Sequence, residues 1–510
     1  MRASYREPPA RMALSEVLEG ISVLSRRGPD VPVASVTDDS RVVGPGDLFV
    51  AVQGRSVDGH RYVEAAAKAG AAALLAAHEV DFPGTLVVAQ DTSSALGIAA
   101  ANRLGNPGRH LGMLGLTGTN GKTTTTYLLE SILEAAGQSP GVIGTVSYRF
   151  AGQERKAPFT TPTAPALQGL LCEMALGRTT HAVMEVSSHA LWLQRVAGLE
   201  FDVAGFTNLT QDHLDLHGSM RAYKEAKQLL FSRHLKPGGA AVLWADDPAA
   251  SEMTAGFKGR VVRVSREDLD AEVVARLQRQ DIEGMKAVIS LHGEDLRISS
   301  PLVGDHNLQN IALAAAMAFE VGVGREAIAR GVERLRVVPG RLERVEPGSE
   351  VGVLVDYAHT PDALAHALAA LRPLTAGRLI CVFGCGGDRD AMKRPLMGKA
   401  VAKGADIAVV TSDNPRSEGP LAIIDAILGG LAREEIGRLT IDELGGATRG
   451  CAVQPDRRAA IFAAILAARP GDVVLVAGKG HEDYQILGDE RIHFDDREES
   501  RAALATRRGQ

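Results

Sequence analysis

From Leu111 onward the chain alternates short, unbroken apolar runs with longer stretches of helical periodicity. The runs Leu111–Thr117, Ala182–Val186, Val351–Val355, Leu379–Phe383, Ile407–Val410 and Val473–Val476 each end abruptly in a Gly-rich or polar loop, and a helix-like stretch follows. A strand apolar at successive positions is buried on both faces, and helices alternating with such strands cover them. The pattern therefore predicts an α/β fold with parallel sheets. Ligands in such sheets bind at the carboxyl ends of the strands, so function is sought in the residues just after each run. Two turn-rich joints, Leu104-Gly-Asn-Pro-Gly-Arg-His110 and Val338-Pro-Gly-Arg-Leu342, divide the chain into pieces of ordinary domain size, 1–106, 107–338 and 339–510.

The first run leads into Gly118-Thr119-Asn120-Gly121-Lys122-Thr123-Thr124 and then a helical stretch, Thr125–Ala136. Strand, glycine loop, Lys-Thr and helix make a phosphate-binding loop, in which backbone N–H groups and a helix N-terminus surround a polyphosphate. Lys122 would reach the β- and γ-phosphates, and the Thr123 hydroxyl would hold Mg²⁺. The strict motif has glycine at position 116, where this chain has leucine. Binding of ATP or GTP is the expectation. Glu185, at the end of the run Ala182–Val186, is placed either to serve Mg²⁺ opposite this loop or simply to finish a strand.

Ser219 is positioned to cap a helix through Met220–Phe231, on which Tyr223, Ala226, Lys227, Leu230 and Phe231 share one face. A lysine in that stripe either snorkels, keeping its amine in water, or turns inward and becomes a neutral, reactive amine. His213, in Asn208-Leu-Thr-Gln-Asp-His-Leu-Asp215, reads equally as a metal ligand or as a loop histidine.

Composition narrows the class. With 56 basic and 62 acidic residues the net charge is −6, which gives no electrostatic case for nucleic acid or an anionic membrane. A hydrophobic content of 45% with 23% charged residues supports a soluble globular chain with ample core. Cys172, Cys381, Cys385 and Cys451 are too scattered for a disulfide framework, and no second Cys/His pair follows Cys381 and Cys385 to complete a zinc site. The first residues lack the apolar segment of a secretory signal, and no stretch is long enough to span a membrane, so a cytoplasmic protein is expected. Nothing in the sequence demands an oligomer, and a monomer is expected.

Several ordered motifs together resemble the Mur ligase family, ATP-dependent amide-bond formers of bacterial cell-wall synthesis. They are Thr117–Thr124, Glu185-Val-Ser-Ser-His189, Asp212-His213, Gly304-Asp-His-Asn-Leu-Gln-Asn310, Pro339-Gly-Arg341 and Asp356-Tyr-Ala-His-Thr-Pro361. Asp39-Ser-Arg41 with Gly46–Ala51, Gly384-Cys-Gly-Gly-Asp-Arg389, Asp413-Asn-Pro-Arg416 and Gly478-Lys-Gly-His-Glu482 are similar to the members that add a diamino acid to a muramoyl dipeptide. The resemblance covers nearly the whole chain. It implies a smaller N-terminal α/β domain, a central P-loop parallel-sheet ATPase domain and a C-terminal Rossmann-like α/β domain. ATP and Mg²⁺ are the implied cofactors.

The resemblance also implies roles. The acceptor's carboxylate is phosphorylated by ATP, an amine attacks the acyl phosphate, and phosphate leaves. Lys122, Lys227 and His213 are the implied catalytic residues. Thr123 and Glu185 would bind one Mg²⁺; His213 and a carbamylated Lys227 would help bind a second. Asn307, Arg341 and Asp356 would contact nucleotide once the domains close. Ser40, Arg55, Ser56 and Val57 match the uridine-diphosphate region, and Thr160, Thr161, Ser187 and Arg195 match contacts to the rest of UDP-N-acetylmuramoyl-L-alanyl-D-glutamate. Leu193 stands where relatives often carry glutamine, with Gln194 adjacent. Asp413, Asn414, Pro415 and Arg416, with Arg389, Gly478 and Glu482, match a pocket for meso-diaminopimelate. That substrate differs from lysine by a distal carboxylate, which a guanidinium grips with two parallel hydrogen bonds. The alternatives are the same ligation with L-lysine or another diamino acid, a glutamate-adding folate relative, and a P-loop nucleotide switch that hydrolyses nucleotide without any amine.

Overall fold

The computed structural model describes residues 5–54, 57–212 and 214–509. The chain separates into two units, Met1–Val274 with Leu291–Gly293 and Ala312–Gly331, and Ala275–Ser290 with Glu294–Ile311 and Val332–Gln510.

The first unit holds two large sheets and a two-stranded pair, Met12–Ala13 with Pro32–Val33. The smaller of the large sheets runs in the order Val23–Arg27, Thr85–Ala89, Ala73–Ala76, Leu48–Val50, Val36–Thr37. The edge strand Val23–Arg27 pairs antiparallel, and the other three pairings are parallel. The strands Leu48–Val50, Ala73–Ala76 and Thr85–Ala89 are buried throughout, because apolar side chains feed a core on each face of the sheet. Asp91 caps the following helix Thr92–Arg103 by accepting from Ser94 N–H at 2.9 Å.

The larger sheet is built around Gly112–Thr117, which lies between His181–Glu185 and Phe201–Phe206, with Pro140–Ile143 beyond the former and Leu235–Trp244 beyond the latter. All these neighbours pair in parallel, and every residue of Gly112–Thr117 is buried, as its unbroken apolar sequence requires. Two antiparallel strands, Ser147–Phe150 and Gln153–Lys156, finish one edge. The helix after the central strand is Lys122–Ala135, three residues earlier than the sequence pattern suggests, because left-handed Gly121 (φ 86°) is itself the cap and Lys122–Thr124 form the first turn.

The second unit contains a six-stranded sheet in the order Glu343–Arg344, Gly352–Asp356, Val473–Ala477, Leu379–Phe383, Ile407–Val410, Gly450–Val453. All pairings except the first are parallel. Pro361–Leu371, Lys393–Gly404 and Pro420–Ala432 cover one face, and Arg457–Ala467 and Asp496–Arg508 the other. Gly384, Ser412 and Gly478 follow the carboxyl ends of three adjacent strands. Among the described residues no helix is long and apolar enough to cross a membrane, and all four cysteines are buried and free.

Candidate active site

In the first unit the functional side chains gather on the loop after Gly112–Thr117. Gly118 has φ 143°, and a Cβ there would fall on the Thr207 hydroxyl, so the loop passes where only glycine fits. Leu116, at the position of the motif's missing glycine, is an ordinary buried strand residue. Thr119 and Asn120 are held from the next strand's end: Asn120 N–H donates to Asn208 Oδ1 at 2.9 Å, and Thr207 Oγ1 donates to the Asn120 carbonyl at 2.6 Å. The Lys122 amine donates to the carbonyls of Gly118 and Thr119, both at 2.8 Å, folding back over the loop.

Thr123 Oγ1 donates to both oxygens of Glu185, at 3.0 and 3.1 Å. The same carboxylate accepts from Thr145 N–H and Thr145 Oγ1, both at 2.9 Å, and Thr145 Oγ1 lies 3.1 Å from Thr160 Oγ1. Glu185 is 1% exposed. A buried carboxylate against the P-loop hydroxyl is an oxygen donor set that suits a hard divalent cation. From Glu185 the network continues outward. Thr161 Oγ1 donates to the Glu185 carbonyl (2.8 Å), Ser187 N–H donates to Thr161 Oγ1 (3.1 Å), and Arg195 donates to the Thr161 carbonyl (2.9 Å). Burial lowers the Arg195 guanidinium's pKa.

Lys227 does not snorkel. The helix Met220–Arg233 buries Tyr223, Ala226, Lys227, Leu230 and Phe231, the face expected from the pattern, and Ser219 caps it. The lysine is 1% exposed, its amine donates to the Gly118 carbonyl at 2.8 Å and it lies 4.3 Å from the centre of the Tyr223 ring. Burial, reinforced by the Lys122 charge, pushes its pKa well down and outweighs the opposing pull of Asp212. Burial pushes the Tyr223 phenol up, and its oxygen lies 3.2 Å from Thr119 Oγ1. Nearby, His217 Nε2 lies 3.0 Å from Ser188 Oγ. His213 lies outside the described residues, as do Arg55 and Ser56. Ser40 sits in a half-buried turn, and Val57 is exposed on the loop closed by the Gly54 N–H bond to the Val57 carbonyl (2.9 Å). Gln194 has φ 55° and donates to Asp91 Oδ2 at 2.8 Å, so its amide is engaged with the cap of Thr92–Arg103. Leu193 is partly exposed.

In the second unit Asp356 ends its strand with both oxygens occupied, accepting from Leu342 N–H (2.7 Å) and Ala358 N–H (2.8 Å). Burial raises its pKa, against the opposing charge of Arg341. Arg341 lies over the Tyr357 ring at 4.9 Å. Asn307 faces inward, donating to the Val303 carbonyl at 2.7 Å.

The loops after the strand ends of this unit gather the residues matched to an amino-acid site. Asp413, Asn414 and Pro415 are buried, whereas Arg416 is half-buried with φ 54° and donates to the Gly387 carbonyl at 2.7 Å. Asn414 Nδ2 donates to Glu482 Oε2 at 3.2 Å. Gly478 has φ 119°, and a Cβ there would lie 2.6 Å from Asp413 Oδ2. Burial raises the Glu482 pKa, opposed by Lys479. Arg389 is exposed, with Nη1 donating to the Asp388 carbonyl at 3.1 Å. Asn414 and Glu482 are thus joined by a hydrogen bond, Asp413 lies against Gly478, and Arg416 is near enough for its charge to act on Glu482, whereas Arg389 is exposed.

Three participants escaped the motif reading. Thr145 and Asn208 follow the carboxyl ends of Pro140–Ile143 and Phe201–Phe206, so the strand-end rule would have found them had those strands been recognised. Lys479 lies inside a quoted motif, yet nothing in its neighbours marks it as buried. Among the described residues no group of three His, Cys, Asp or Glu side chains could hold a metal.

Comparison with known proteins agrees with this arrangement. Residues 116–318 match the Mur ligase middle domain, 340–480 the Mur ligase glutamate ligase domain, and 32–107 the Mur ligase family catalytic domain. The UDP-N-acetylmuramoyl-L-alanyl-D-glutamate--2,6-diaminopimelate ligase of Gloeobacter violaceus is 44% identical over 98% of this chain and 99% of its own. The ligase of the same name from Solibacter usitatus is 42% identical over 97% and 98%. A solved structure of such a ligase superposes with a TM-score of 0.72 at 32% identity, covering 98% of this chain and 99% of the other. A Mycobacterium tuberculosis folylpolyglutamate synthase, 21% identical with a TM-score of 0.59 over 74% of this chain and 91% of its own, shares the fold. With three family domains in order and full-length relatives well above 30% identity, the chain belongs to the Mur ligase family.

Proposed function

We propose that the chain joins meso-2,6-diaminopimelate to the D-glutamate carboxylate of UDP-N-acetylmuramoyl-L-alanyl-D-glutamate, using ATP, in the cytoplasmic synthesis of peptidoglycan precursor. The observation that carries this reading is the pocket in which Arg416, Asn414 and Glu482 converge. It offers a guanidinium for a distal carboxylate and a carboxylate for a distal ammonium, which are the two charges at the far end of diaminopimelate. Lysine in the same pocket would leave Arg416 without its anion, at a cost of about 2–5 kcal/mol.

In this reading residues 1–106 take the uridine diphosphate through Ser40 and the segment Arg55–Val57. Residues 107–338 hold ATP on the loop 118–124, and residues 339–510 hold the amino acid. Thr160, Thr161, Ser187 and Arg195 position the dipeptide so that its terminal carboxylate meets the γ-phosphorus. Lys122 exchanges its carbonyl partners for phosphate oxygens, neutralising charge as the phosphoryl group moves. Asn307, Arg341 and Asp356 are assigned to nucleotide binding and Arg389 to the amino acid.

Magnesium bound at Thr123 and Glu185 would supply charge neutralisation on the phosphates. Lys227 as an ammonium would repel a second cation; carbamylated by CO₂ it becomes an anion that suits one, and its desolvated amine is basic only weakly enough to stay neutral and react. His213 is assigned to the same second site. The dipeptide carboxylate takes the γ-phosphoryl group and ADP leaves; the neutral amine of the incoming amino acid attacks the acyl-phosphate carbonyl and loses a proton, the tetrahedral intermediate collapses, inorganic phosphate leaves, and an amide remains. The protein's contribution is positioning and electrostatics.

The test is a competition with ATP, Mg²⁺, the muramoyl dipeptide and equal meso-diaminopimelate, L-lysine and L-ornithine, products being read by mass. A predominant diaminopimelate adduct is expected. A lysine or ornithine adduct would overturn the substrate assignment, and phosphate release without any adduct would overturn ligation itself.

A further inference from the structure

Lys479 has no exposed surface. It follows Gly478, at which an added Cβ would lie 2.6 Å from Asp413 Oδ2, and its amine reaches the same carboxylate. The amine donates to Asn414 Oδ1 at 3.1 Å and lies 3.6 Å from both Asp413 Oδ1 and Glu482 Oε2. Asn414 Oδ1 also accepts from Ile486 N–H at 3.0 Å, so two donors fix the oxygen of the amide and leave its nitrogen aimed at Glu482.

We propose that Lys479 is a specificity-determining positioning residue. Its buried ammonium neutralises Asp413 and orients Asn414, leaving Glu482 as the one ionised carboxylate available to the distal ammonium of the substrate. The inference rests on the reading of this pocket as a diamino-acid site and adds the residue that sets its charge.

The argument is one of charge balance. The Asp413 charge opposes ionisation of the largely buried Glu482, so a cation between the two carboxylates favours the charged form of Glu482. The other groups facing Glu482 are Arg416, Arg457, Tyr357 and Tyr484. Arg457 is committed to Asp496 through two hydrogen bonds of 2.7 Å, and Arg416 is the partner of the substrate's carboxylate. Lys479 is the cation left to balance the carboxylate pair. At 3.6 Å it lies outside hydrogen-bond reach of Glu482 and so does not compete with a substrate ammonium that approaches closely. Burial already pushes the Glu482 pKa up. Lys479 opposes that rise, so without it the Glu482 carboxyl holds its proton to higher pH, and a neutral acid does not select an ammonium.

The experiment uses Lys479→Met and Lys479→Gln in the full chain, each checked by circular dichroism, so that one variant remains if the other does not fold. The Glu482 titration is read first without substrate, by ¹³C resonance of Cδ-labelled glutamate assigned with Glu482→Gln. A rise of about one pH unit or more is expected in the Lys479 variants; an unmoved titration overturns the proposal whatever the enzyme's substrate. Diaminopimelate KM is then followed against pH. Below the Glu482 titration measured in each variant it should rise roughly tenfold or more and recover as pH increases through it, with the recovery abolished in Lys479→Met/Glu482→Gln. A KM raised equally at every pH, or a recovery surviving in the double variant, would also overturn it. A wild-type chain that accepts no diamino acid refutes the proposed function separately, before any variant is compared.

Discussion

Arg457 and Asp496 form a two-point ion pair with no solvent exposure on either side chain, Nε to Oδ1 and Nη2 to Oδ2, both 2.7 Å. The guanidinium's remaining donors reach the carbonyls of Ser412 (3.3 Å) and Ala477 (3.0 Å), tying together the ends of the strands Ile407–Val410 and Val473–Ala477. Each charge is buried only because the other is there. Asp496→Ala should therefore destabilise the second unit by about 3–5 kcal/mol, since the arginine is left as an uncompensated buried cation. Urea unfolding followed by tryptophan-independent far-ultraviolet dichroism measures this; a change below about 1 kcal/mol would show that water reaches the pair.

Arg416→Ala removes the group assigned to the distal carboxylate while leaving the P-loop untouched. The KM for diaminopimelate should rise by roughly 30-fold or more, with acyl-phosphate formation from the dipeptide retained. An unchanged KM would withdraw the selector role from this arginine.

Lys227→Ala deletes the amine that bonds the Gly118 carbonyl. Turnover should fall at least about 100-fold and recover in part with acetate or another short carboxylate, which supplies the anion that a carbamate would provide. Full activity without added carboxylate would dismiss the carbamate.

Gly118→Ala tests the loop itself. The added methyl would occupy the Thr207 hydroxyl's place at a backbone angle that disfavours alanine, so ATP affinity measured by calorimetry should drop by roughly tenfold or more. Gly137→Ala is the comparison, because it too has positive φ but nothing lies near its Cβ position.

Asp472 supplies the pH dependence. Its carboxylate accepts from Arg378 N–H (2.7 Å), from Arg378 Nε and Nη2 (2.9 and 2.7 Å), and from Arg469 N–H (2.8 Å). Despite burial, which acts the other way, these bonds hold its pKa below the usual carboxylate range. A lowered folded-state pKa contributes stability that is present above the unfolded-state value and is lost as pH falls through the folded one. Asp472→Asn should thus be less stable than wild type at neutrality, and the gap should narrow as pH falls below about 4. A gap independent of pH would mean that the shape of the side chain matters and its charge does not.

The sequence by itself determined the elements and the faces they bury. Leu379–Phe383 and Ile407–Val410 are strands with the expected boundaries and the other four runs shift by one residue at one or both ends, and the stripe Tyr223–Phe231 named every buried residue of its helix. Periodicity reports burial element by element, which is why Lys227 stood out while its choice between water and the interior stayed open. Only the tertiary structure decided that choice, because the Gly118 carbonyl that receives the amine lies 109 positions earlier. The same holds for Thr145 on Glu185, for Gln194 on Asp91 and for Lys479 among Asp413, Asn414 and Glu482. These partners are distant in sequence and adjacent only because parallel strands bring their carboxyl ends side by side. Strand order is set by how whole sheets cover their apolar faces, and no local pattern encodes which polar ends will meet.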